Sequence, residues 1–278
     1  MDDGYILTAL LLAILALFIY RYWLIWMKEK APARQRGNPI GSSMTIGDRE
    51  IQADYLDSVL GTHGALLVLA DGVGSGLGSK IAAKTAVDTA LELYQDYRSF
   101  DKPEYYFQRV FNTANHRILS FMGERQGETA ELVVLLQGNS LYYALAGNIR
   151  MAVYRAGDLI PVSEGQTLNV LAESRYQDGS LSRDMALALL QKEERVYNLL
   201  GQEVFRGMET APKPIRLEHG DVVVMMTDGV FRALTWRNIE EVLESGGTPN
   251  EIAGRLTNAV RYANQQDKDN ASVLIYQN

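Results

Sequence analysis

Residues 66–72 read LLVLADG, and residues 223–229 read VVMMTDG. Each segment is a short apolar run that stops at an Asp-Gly pair, Asp71-Gly72 in the first and Asp228-Gly229 in the second. Such a run predicts a buried β-strand that ends in a turn. A buried sheet holds the direction of a carboxylate at a strand end, and carboxylate oxygens are ligands that suit Mg²⁺ or Mn²⁺. The two segments therefore predict a metal site, provided that the fold brings them together.

Two further acidic positions extend this pattern. Asp269 belongs to the turn DKDN, which directly precedes the apolar run 272–276, and Asp54 lies in the first predicted strand region. Gly72 has no side chain, so its backbone can come close enough to an ion to offer its carbonyl oxygen. A single Asp-Gly pair is usually an ordinary turn. Three acidic turns beside apolar strands indicate a shared site.

The remaining pattern predicts the fold class. Helical spacing of apolar residues predicts helices at 79–97 and 105–122, and a capping box with Pro at the first helical position begins the last helix at Thr248. Further strands are predicted at 132–136, 141–145, 151–154, 222–226 and 272–276. Because helices and strands occur in separate groups, we expect an α+β domain of antiparallel sheets with helices packed on them. A parallel doubly wound fold would alternate the two.

The first thirty residues differ from the rest of the chain. Residues 5–20 (YILTALLLAILALFIY) carry no charge, and after Arg21 the apolar and aromatic run continues to residue 27. This is about the length that a helix needs to cross a ~30 Å hydrocarbon layer. The basic residues that follow place the next segment in the cytoplasm; they are Lys28, Lys30, Arg34 and Arg36. We expect residues 1–30 to be a single-pass anchor in the cell membrane with its N-terminus outside. A cleaved signal peptide would instead begin with basic residues.

Three segments after the anchor are expected to lack regular structure. Residues 31–43 (APARQRGNPIGSS) are rich in Pro, Gly, Ser and basic residues, which is typical of a linker near a membrane surface. Residues 44–278 then form the soluble domain. Within it, residues 166–182 and 192–207 are polar and poorly periodic, and we expect them to form a mobile loop or flap that selects substrates.

The composition excludes several functions. The net charge is −7 and the pI is about 5.1, which disfavours a nucleic-acid partner. The chain has no cysteine, so disulfides, thiolate metal sites and cysteine nucleophiles are excluded. The glycines at positions 72, 74, 76 and 78 do not have the spacing of a dinucleotide or P-loop motif.

Taken together, the order of the segments resembles the metal-dependent protein phosphatase family, protein phosphatase type 2C or PPM, in its bacterial type. The resemblance rests on Arg49 with Asp54, LVLADGVGSG at 67–76, GETA at 127–130, YYALAGNIRMAVYRAGDLIPV at 142–162, GDVVVMMTDGVF at 220–231 and DKDNASVLIY at 267–276. It covers nearly all of residues 44–278. It implies a four-layer α-β-β-α sandwich with two Mn²⁺ or Mg²⁺ ions at one edge of the central sheets.

The resemblance also implies a metal ligand set. Asp71 would bridge both ions, and the Gly72 carbonyl would bind the second. Asp228 and Asp269 would complete the first ion's ligands, and Asp54 would bind an ion or orient its water. Hydrolysis would then proceed by attack of a metal-activated water on phosphoserine or phosphothreonine, without a phosphoenzyme.

Arg49 has a separate implied role. It matches the arginine that holds the substrate phosphate through its planar set of donors. The implied partners are phosphorylated proteins, including a membrane serine/threonine kinase or its targets, together with membrane lipid around the anchor.

The chain departs from the family pattern at three positions. Ala53 replaces a polar residue, Val73 stands where some members have His, and Asn148 stands where the family has an Asp that binds a third metal. An amide is a weaker ligand than a carboxylate, so we expect the third site to be weak or lost. These departures leave open a second function, that of a catalytically weakened phosphatase acting as a phosphoprotein-binding scaffold. A third hypothesis is a regulatory phosphatase of the type that acts on anti-sigma-factor antagonists.

Overall fold

The structure is a computed structural model that describes residues 20–21, 38–61, 64–74, 76–97, 102–122, 127–190 and 195–278. The chain divides into two units, residues 1–38 and residues 39–278. Apart from residues 20–21, the predicted anchor at 1–30 lies outside the described residues, as does most of the predicted linker. Among the helices within the described ranges, none is both long enough and apolar enough to cross a membrane.

The second unit contains eleven strands in its described residues. They are β1 (Ile40–Thr45), β2 (Tyr55–Gly61), β3 (Gly64–Val73), β4 (Glu128–Gln137), β5 (Ser140–Ala146), β6 (Arg150–Arg155), β7 (Asp158–Pro161), β8 (Glu209–Thr210), β9 (Ile215–Arg216), β10 (Val222–Met226) and β11 (Ala271–Gln277).

The strands form two sheets in which each recorded pairing is antiparallel. One sheet has the order β1-β11-β10-β6-β7, and the other has the order β2-β3-β4-β5-β8, with β9 also paired to β5. The α+β class with antiparallel sheets is thereby confirmed. Most strands in these sheets are joined to sequence neighbours, as short connections favour.

Seven helices accompany the sheets in the described part of the chain. They are α1 (Leu77–Gln95), α2 (Pro103–Met122), α3 (Leu168–Gln177), α4 (Arg183–Leu190), α5 (Asp228–Ala233), α6 (Trp236–Glu244) and α7 (Pro249–Tyr262). The predicted start of the last helix is confirmed. Thr248 caps α7, and Glu251 completes the capping box by accepting a hydrogen bond from the Thr248 amide at 2.8 Å.

Alternation along β3 divides its apolar side chains between two buried clusters. Leu66 and Val68 belong to a cluster with side chains of α1, α2, β4 and β5. Leu67 and Leu69 belong to a cluster with side chains of β4, β5, β6, β10 and β11, which come from both sheets. The period of two in a strand explains this division. A third cluster joins β6, β10 and β11 to α5, α6 and α7.

Strand β3 is longer than its sequence predicts. We expected it to end in a turn at Asp71-Gly72, but both residues remain paired to β4, Asp71 opposite Ala130 and Gly72 opposite Thr129. The Asp-Gly pair is therefore part of the sheet, because the partner strand extends to Glu128 and continues the ladder. The second Asp-Gly pair does leave its strand, and Asp228 begins α5.

The loop predicted at residues 166–182 is partly helical, and a second helix lies between it and the loop predicted at 192–207. Residues 168–177 and 183–190 form α3 and α4, which pack against each other. Ala172 and Ala186 are buried in these helices. Both helices are short and bury few residues, so neither leaves a strong helical period in the sequence.

The first strand begins inside the predicted linker. Residues 40–43, the last four of the range 31–43, are paired antiparallel to β11, with Ile40 opposite Tyr276 and Ser43 opposite Val273. Ile40 is buried. The sheet therefore extends to this segment despite its polar composition.

Candidate metal and phosphate site

Four carboxylates singled out in the sequence lie together, and we call them the acidic cluster: Asp54, Asp71, Asp228 and Asp269. Asp54 directly precedes β2, Asp71 lies near the end of β3, Asp228 begins α5, and Asp269 lies two residues before β11. Burial raises the pKa of Asp71 well above its usual value, and the charges of the other three carboxylates raise it further. Such an effect acts between neighbouring groups, and the close backbone contacts at Gly72 and Gly229 bring their segments together.

Asp54 is the most buried member of the acidic cluster, with 2% of its surface exposed. Its Oδ2 accepts hydrogen bonds from the Ser272 hydroxyl at 2.6 Å and the Thr227 hydroxyl at 3.0 Å. Its Oδ1 is buried and accepts no hydrogen bond from the residues that the structure describes. Burial raises the pKa of Asp54 to about 7, although the two hydroxyl groups act in the opposite direction. One oxygen is thus held in place, and the other has capacity for a further partner.

Gly72 lies where the backbone has no room for a side chain. A Cβ atom at this position would lie 2.5 Å from the carbonyl oxygen of Ser79 and 2.8 Å from that of Ala53. The Thr129 hydroxyl donates a hydrogen bond to the Asp71 carbonyl at 2.8 Å. This close approach brings the segment before β2 to the end of β3, and with it Asp54 to Asp71.

A similar close approach joins the other half of the acidic cluster. A Cβ atom at Gly229 would collide with the backbone carbonyl of Asn270. The start of α5 therefore packs directly against the turn that precedes β11. Asn270 also accepts a hydrogen bond from the Ala53 amide at 2.7 Å through its side chain. These contacts explain why Asp228 and Asp269 lie beside the segment of Asp54.

Arg49 binds two carboxylates of the acidic turn. Its Nε and Nη2 donate to Asp269 Oδ1 and Oδ2 at 2.9 and 3.0 Å, and its Nη1 donates to Asp267 Oδ1 at 3.0 Å. The hydrogen bond with Asp269 raises the pKa of Arg49. Partial burial acts to raise the pKa of Asp269, but hydrogen bonds from Arg49 and from the Asn270 amide lower it overall. The predicted phosphate-binding residue and one predicted metal ligand therefore form a bidentate ion pair.

Asp228 is contacted by two nitrogen groups. Arg232 Nη2 lies 3.2 Å from Asp228 Oδ2, and the Asn148 side-chain amide donates to the same oxygen at 3.5 Å. Burial raises the pKa of Asp228, and the charge of Arg232 opposes this effect. Arg232 follows Asp228 by four residues on α5, the spacing that brings side chains together on a helix. Asn148 is buried, so the position that departs from the family pattern lies at the acidic cluster.

The acidic cluster fits a hard divalent cation by its chemistry. It offers carboxylate oxygens, and one of them is buried without a hydrogen bond from the described residues. A cation would reverse the raised pKa values of Asp54, Asp71 and Asp228. In the described ranges, however, no three acidic or imidazole groups already converge at ligand distances. Arg49 and Arg232 hold Asp269 and Asp228 in ion pairs. Metal binding at this site therefore requires these side chains to change their contacts.

Three residues of the site were missed in the sequence: Thr227, Ser272 and Arg232. Thr227 adjoins Asp228, and Ser272 lies three residues after Asp269. Both contact Asp54, which is 173 and 218 residues away in the chain. A tertiary contact of this kind leaves no local signal. Arg232 had a detectable signal, because an acidic residue and a basic residue four positions apart at a helix start commonly pair.

The protein phosphatase 2C family model matches residues 43–256 of the chain. Solved structures are similar over most of its length. The serine/threonine phosphatase of S. agalactiae has 20% identity and a TM-score of 0.71, covering 86% of this chain and 99% of its own. The Mycobacterium tuberculosis serine/threonine phosphatase PstP/Ppp has 20% identity and a TM-score of 0.69, covering 86% and 97%.

A third similar structure contains metal ions. It is the catalytic domain of the serine/threonine protein phosphatase PstP in complex with two manganese ions, with 20% identity, a TM-score of 0.66, and coverage of 86% of this chain and 96% of its own. Among curated protein sequences, none matches this chain. The family model spans more than half of the chain, and the chain therefore belongs to the protein phosphatase 2C family.

Proposed function

We propose that this chain is a metal-dependent protein phosphatase that hydrolyses phosphoserine and phosphothreonine in proteins. The observation that carries the proposal is the acidic cluster, in which one buried oxygen of Asp54 accepts no hydrogen bond from the described residues, in a member of the protein phosphatase 2C family. Mn²⁺ or Mg²⁺ is the proposed cofactor, with two ions bound. The manganese complex of the similar phosphatase PstP supports this choice.

The roles within the acidic cluster follow from the positions of its members. Asp71, Asp228, Asp269 and the Gly72 carbonyl would hold the ions, and Asp54 would hold an ion or its water. When bound, such ions supply positive charge to a phosphoryl group and allow water to act as a nucleophile near neutral pH. Thr227 and Ser272 are positioning residues, because they fix one oxygen of Asp54 and leave the other free.

Arg49 would bind the phosphate of the substrate. Its side chain is 40% exposed, and its planar guanidinium presents donors in a geometry that phosphate oxygens match. Because the same donors bind Asp269 and Asp267 in this structure, phosphate binding requires that at least part of this ion pair opens. A divalent ion on Asp269 would weaken that pair by competing for its oxygens.

The location proposed for the enzyme is the cytoplasmic face of the cell membrane. The uncharged segment 5–20 and the basic residues after it support a single-pass anchor. An anchor of this kind raises the effective concentration of membrane-bound substrates, such as a serine/threonine kinase or its targets. We also propose the four-layer order α-β-β-α, which the composition of the three apolar clusters supports.

A scaffold that binds phosphoproteins without hydrolysing them is the second candidate function. Three features of the site favour it: the ion pair of Arg49 with Asp269, the ion pair of Arg232 with Asp228, and the amide of Asn148. Each reduces the negative charge available to a cation. The two functions differ in turnover, because a scaffold would retain phosphoprotein binding but hydrolyse no ester.

Hydrolysis of p-nitrophenyl phosphate and of a phosphothreonine peptide by the full chain, with Mn²⁺, with Mg²⁺ and with a chelator, tests the proposal. We expect turnover that needs metal and falls by more than about 100-fold in Asp71→Asn and Asp228→Asn, since even indirect partners of metal ligands contribute 10- to 100-fold. Asp57→Asn is a matched control, because this aspartate is exposed on β2 outside the acidic cluster. Folded protein without turnover under any metal would favour the scaffold.

A further inference from the structure

A cleft of about 410 Å³ lies beside the proposed phosphate site. It is lined by the segment 44–48, by Arg261 in the last turn of α7, and by Lys268 from the acidic turn. Asp48 and Lys268 are the chain neighbours of Arg49 and Asp269, which form the bidentate ion pair. The cleft therefore adjoins the position proposed for the substrate phosphate.

Backbone contacts hold the floor of this cleft in place. The Asp48 amide donates to the Lys268 carbonyl at 2.9 Å, and the Lys268 amide donates to Asp48 Oδ2 at 2.9 Å. The Asn270 side chain donates to the Ile46 carbonyl at 2.8 Å. Two segments more than 200 residues apart in the chain are thus joined by three hydrogen bonds, and the cleft has a shape that exists before any ligand binds.

The side chains that line the cleft carry more positive than negative charge. Neither Arg261 nor Lys268 forms an ion pair with a carboxylate in the ranges that the structure covers, which sets them apart from Arg49, Arg155 and Arg232. The single carboxylate in the lining, Asp48, uses one oxygen for the Lys268 amide. Met44 and Ile46 add exposed apolar surface. Two unpaired cations at a preformed cleft favour an anionic partner.

We propose that this cleft binds an acidic side chain of the substrate protein near the phosphorylated residue. The proposal rests on the proposed phosphatase function and adds a substrate class to it, namely phosphosites with Asp or Glu within about three residues. A carboxylate is the anion that an extended peptide can bring to Arg261 and Lys268 while its phosphate is at Arg49. The aliphatic part of the acidic side chain would lie against Met44 and Ile46.

The test compares phosphothreonine peptides that carry Glu at one position, from three residues before to three residues after the phosphothreonine, with the matching Ala peptides. We expect kcat/KM to be roughly three- to tenfold higher for Glu in at least one position, as one or two partly exposed ion pairs would give. This ratio should fall as the salt concentration rises. In Arg261→Ala the ratio of kcat/KM for the Glu peptide to kcat/KM for the Ala peptide should approach one. In Arg261→Glu the same ratio should fall below one. Arg261 is the primary target because Lys268 neighbours Asp269.

Lys213→Ala is the matched control, since this exposed lysine lines a different depression of the surface, and it should keep the wild-type ratio. Hydrolysis of p-nitrophenyl phosphate is measured on each variant to report the metal site separately. Small-ester turnover by the wild type with equal rates for Glu and Ala peptides overturns the cleft proposal and leaves the phosphatase intact. An unchanged ratio in Arg261→Glu overturns it as well. Absence of small-ester turnover in the wild type overturns the proposed function, and the cleft proposal with it.

Discussion

Two buried acids of this protein, Asp54 and Glu131, differ in their partners. Asp54 lies in the acidic cluster and receives hydrogen bonds from two hydroxyl groups on one oxygen. Glu131 lies in β4 between Ala70 and Ala146 of the neighbouring strands, fully buried, and neither of its oxygens has a hydrogen bond among the described residues. Burial raises the pKa of both, to about 7 for Asp54 and to about 8 for Glu131.

We infer from this difference that Asp54 has a functional role and that Glu131 only reduces stability. The two hydroxyl groups at Asp54 favour its ionised form against the effect of burial. A cation bound beside the neighbouring carboxylates would favour the ionised form further. The surroundings of Glu131 favour the protonated acid, because no donor or cation compensates its burial. We therefore expect substitutions at Asp54 to affect metal binding and hydrolysis, and substitutions at Glu131 to affect stability.

The largest expected effect is on hydrolysis. Asp54→Asn should lower metal-dependent turnover by more than about 100-fold, because it removes a carboxylate from the acidic cluster. Glu131→Gln should change turnover by no more than about threefold, because its side chain faces the apolar cluster of α1 and α2. Initial rates with p-nitrophenyl phosphate at saturating Mn²⁺ give both values. Equal losses of turnover in the two variants would contradict a functional role that belongs to Asp54 and not to Glu131.

The next effect is on the pH dependence of stability. The raised pKa of Glu131 means that the folded state keeps this proton between pH 4.5 and about 8, while the unfolded state loses it. The free energy of unfolding should therefore fall as pH rises through this window, by up to ~1.4 kcal/mol per pH unit from this one group, or on the order of 3 kcal/mol by pH 7. Below pH 4.5 both states are protonated and the effect is absent.

Glu131→Gln should remove this decrease, and urea unfolding at pH 5 and pH 8 measures it. Glu244→Gln is the control, because Glu244 is exposed on α6, and its pH dependence should match the wild type. A decrease of the same size in Glu131→Gln and in the wild type would mean that Glu131 is ionised in the folded protein.

A third prediction concerns the two hydroxyl groups that donate hydrogen bonds to Asp54. Ser272→Ala and Thr227→Val each remove one donor from Asp54 and make its surroundings more like those of Glu131. Each should lower the free energy of unfolding by about 1–3 kcal/mol, which is typical of losing one hydrogen bond to a buried charged acceptor. In an Asp54→Asn background the loss should be smaller, because a neutral amide needs the hydroxyl less. Each hydroxyl substitution forms its own double-mutant cycle with Asp54→Asn, and chemical denaturation of the four proteins in each cycle gives the coupling free energy. An equal loss in both backgrounds would exclude a coupling.

Different parts of the molecule were predictable to different degrees. Asp71, Asp228 and Asp269 could be found because each lies beside an apolar strand, so local sequence marks both the strand and the acid. The partners of Asp54 could not be found, because Thr227 and Ser272 reach it only through the fold. Arg232 was overlooked although its spacing from Asp228 is a helical one.

The same distinction applies to the secondary structure. The strands with continuous apolar runs and the helix that begins at Thr248 were predicted near their observed positions, because burial and capping leave local patterns. Strand β1 was missed since its residues, IGSSMT, are mostly small and polar, and its pairing with β11 decides its structure. Helices α3 and α4 were missed because they bury few residues. Glu131 adjoins an apolar run and gave no sign that it would be buried without a partner.

The smallest expected effect concerns Asn148. Asn148→Asp would place a fifth carboxylate beside Asp228, whose oxygen now accepts a hydrogen bond from the amide at 3.5 Å. In a chelator the melting temperature should fall by a few degrees, corresponding to about 1 kcal/mol of charge repulsion partly offset by Arg232. Mn²⁺ should reverse this loss and raise the melting temperature of the variant at least as much as that of the wild type. A variant that melts like the wild type in the chelator would show that position 148 does not act on the acidic cluster.

The central claim is that the acidic cluster binds divalent metal, and isothermal titration of Mn²⁺ into the full chain tests it most directly. We expect the wild type to bind two ions per chain, Asp71→Asn to lose at least one ion, and Asp57→Asn to bind as the wild type does. Folded wild-type protein that takes up no Mn²⁺, or Asp71→Asn protein that binds as the wild type does, would contradict it.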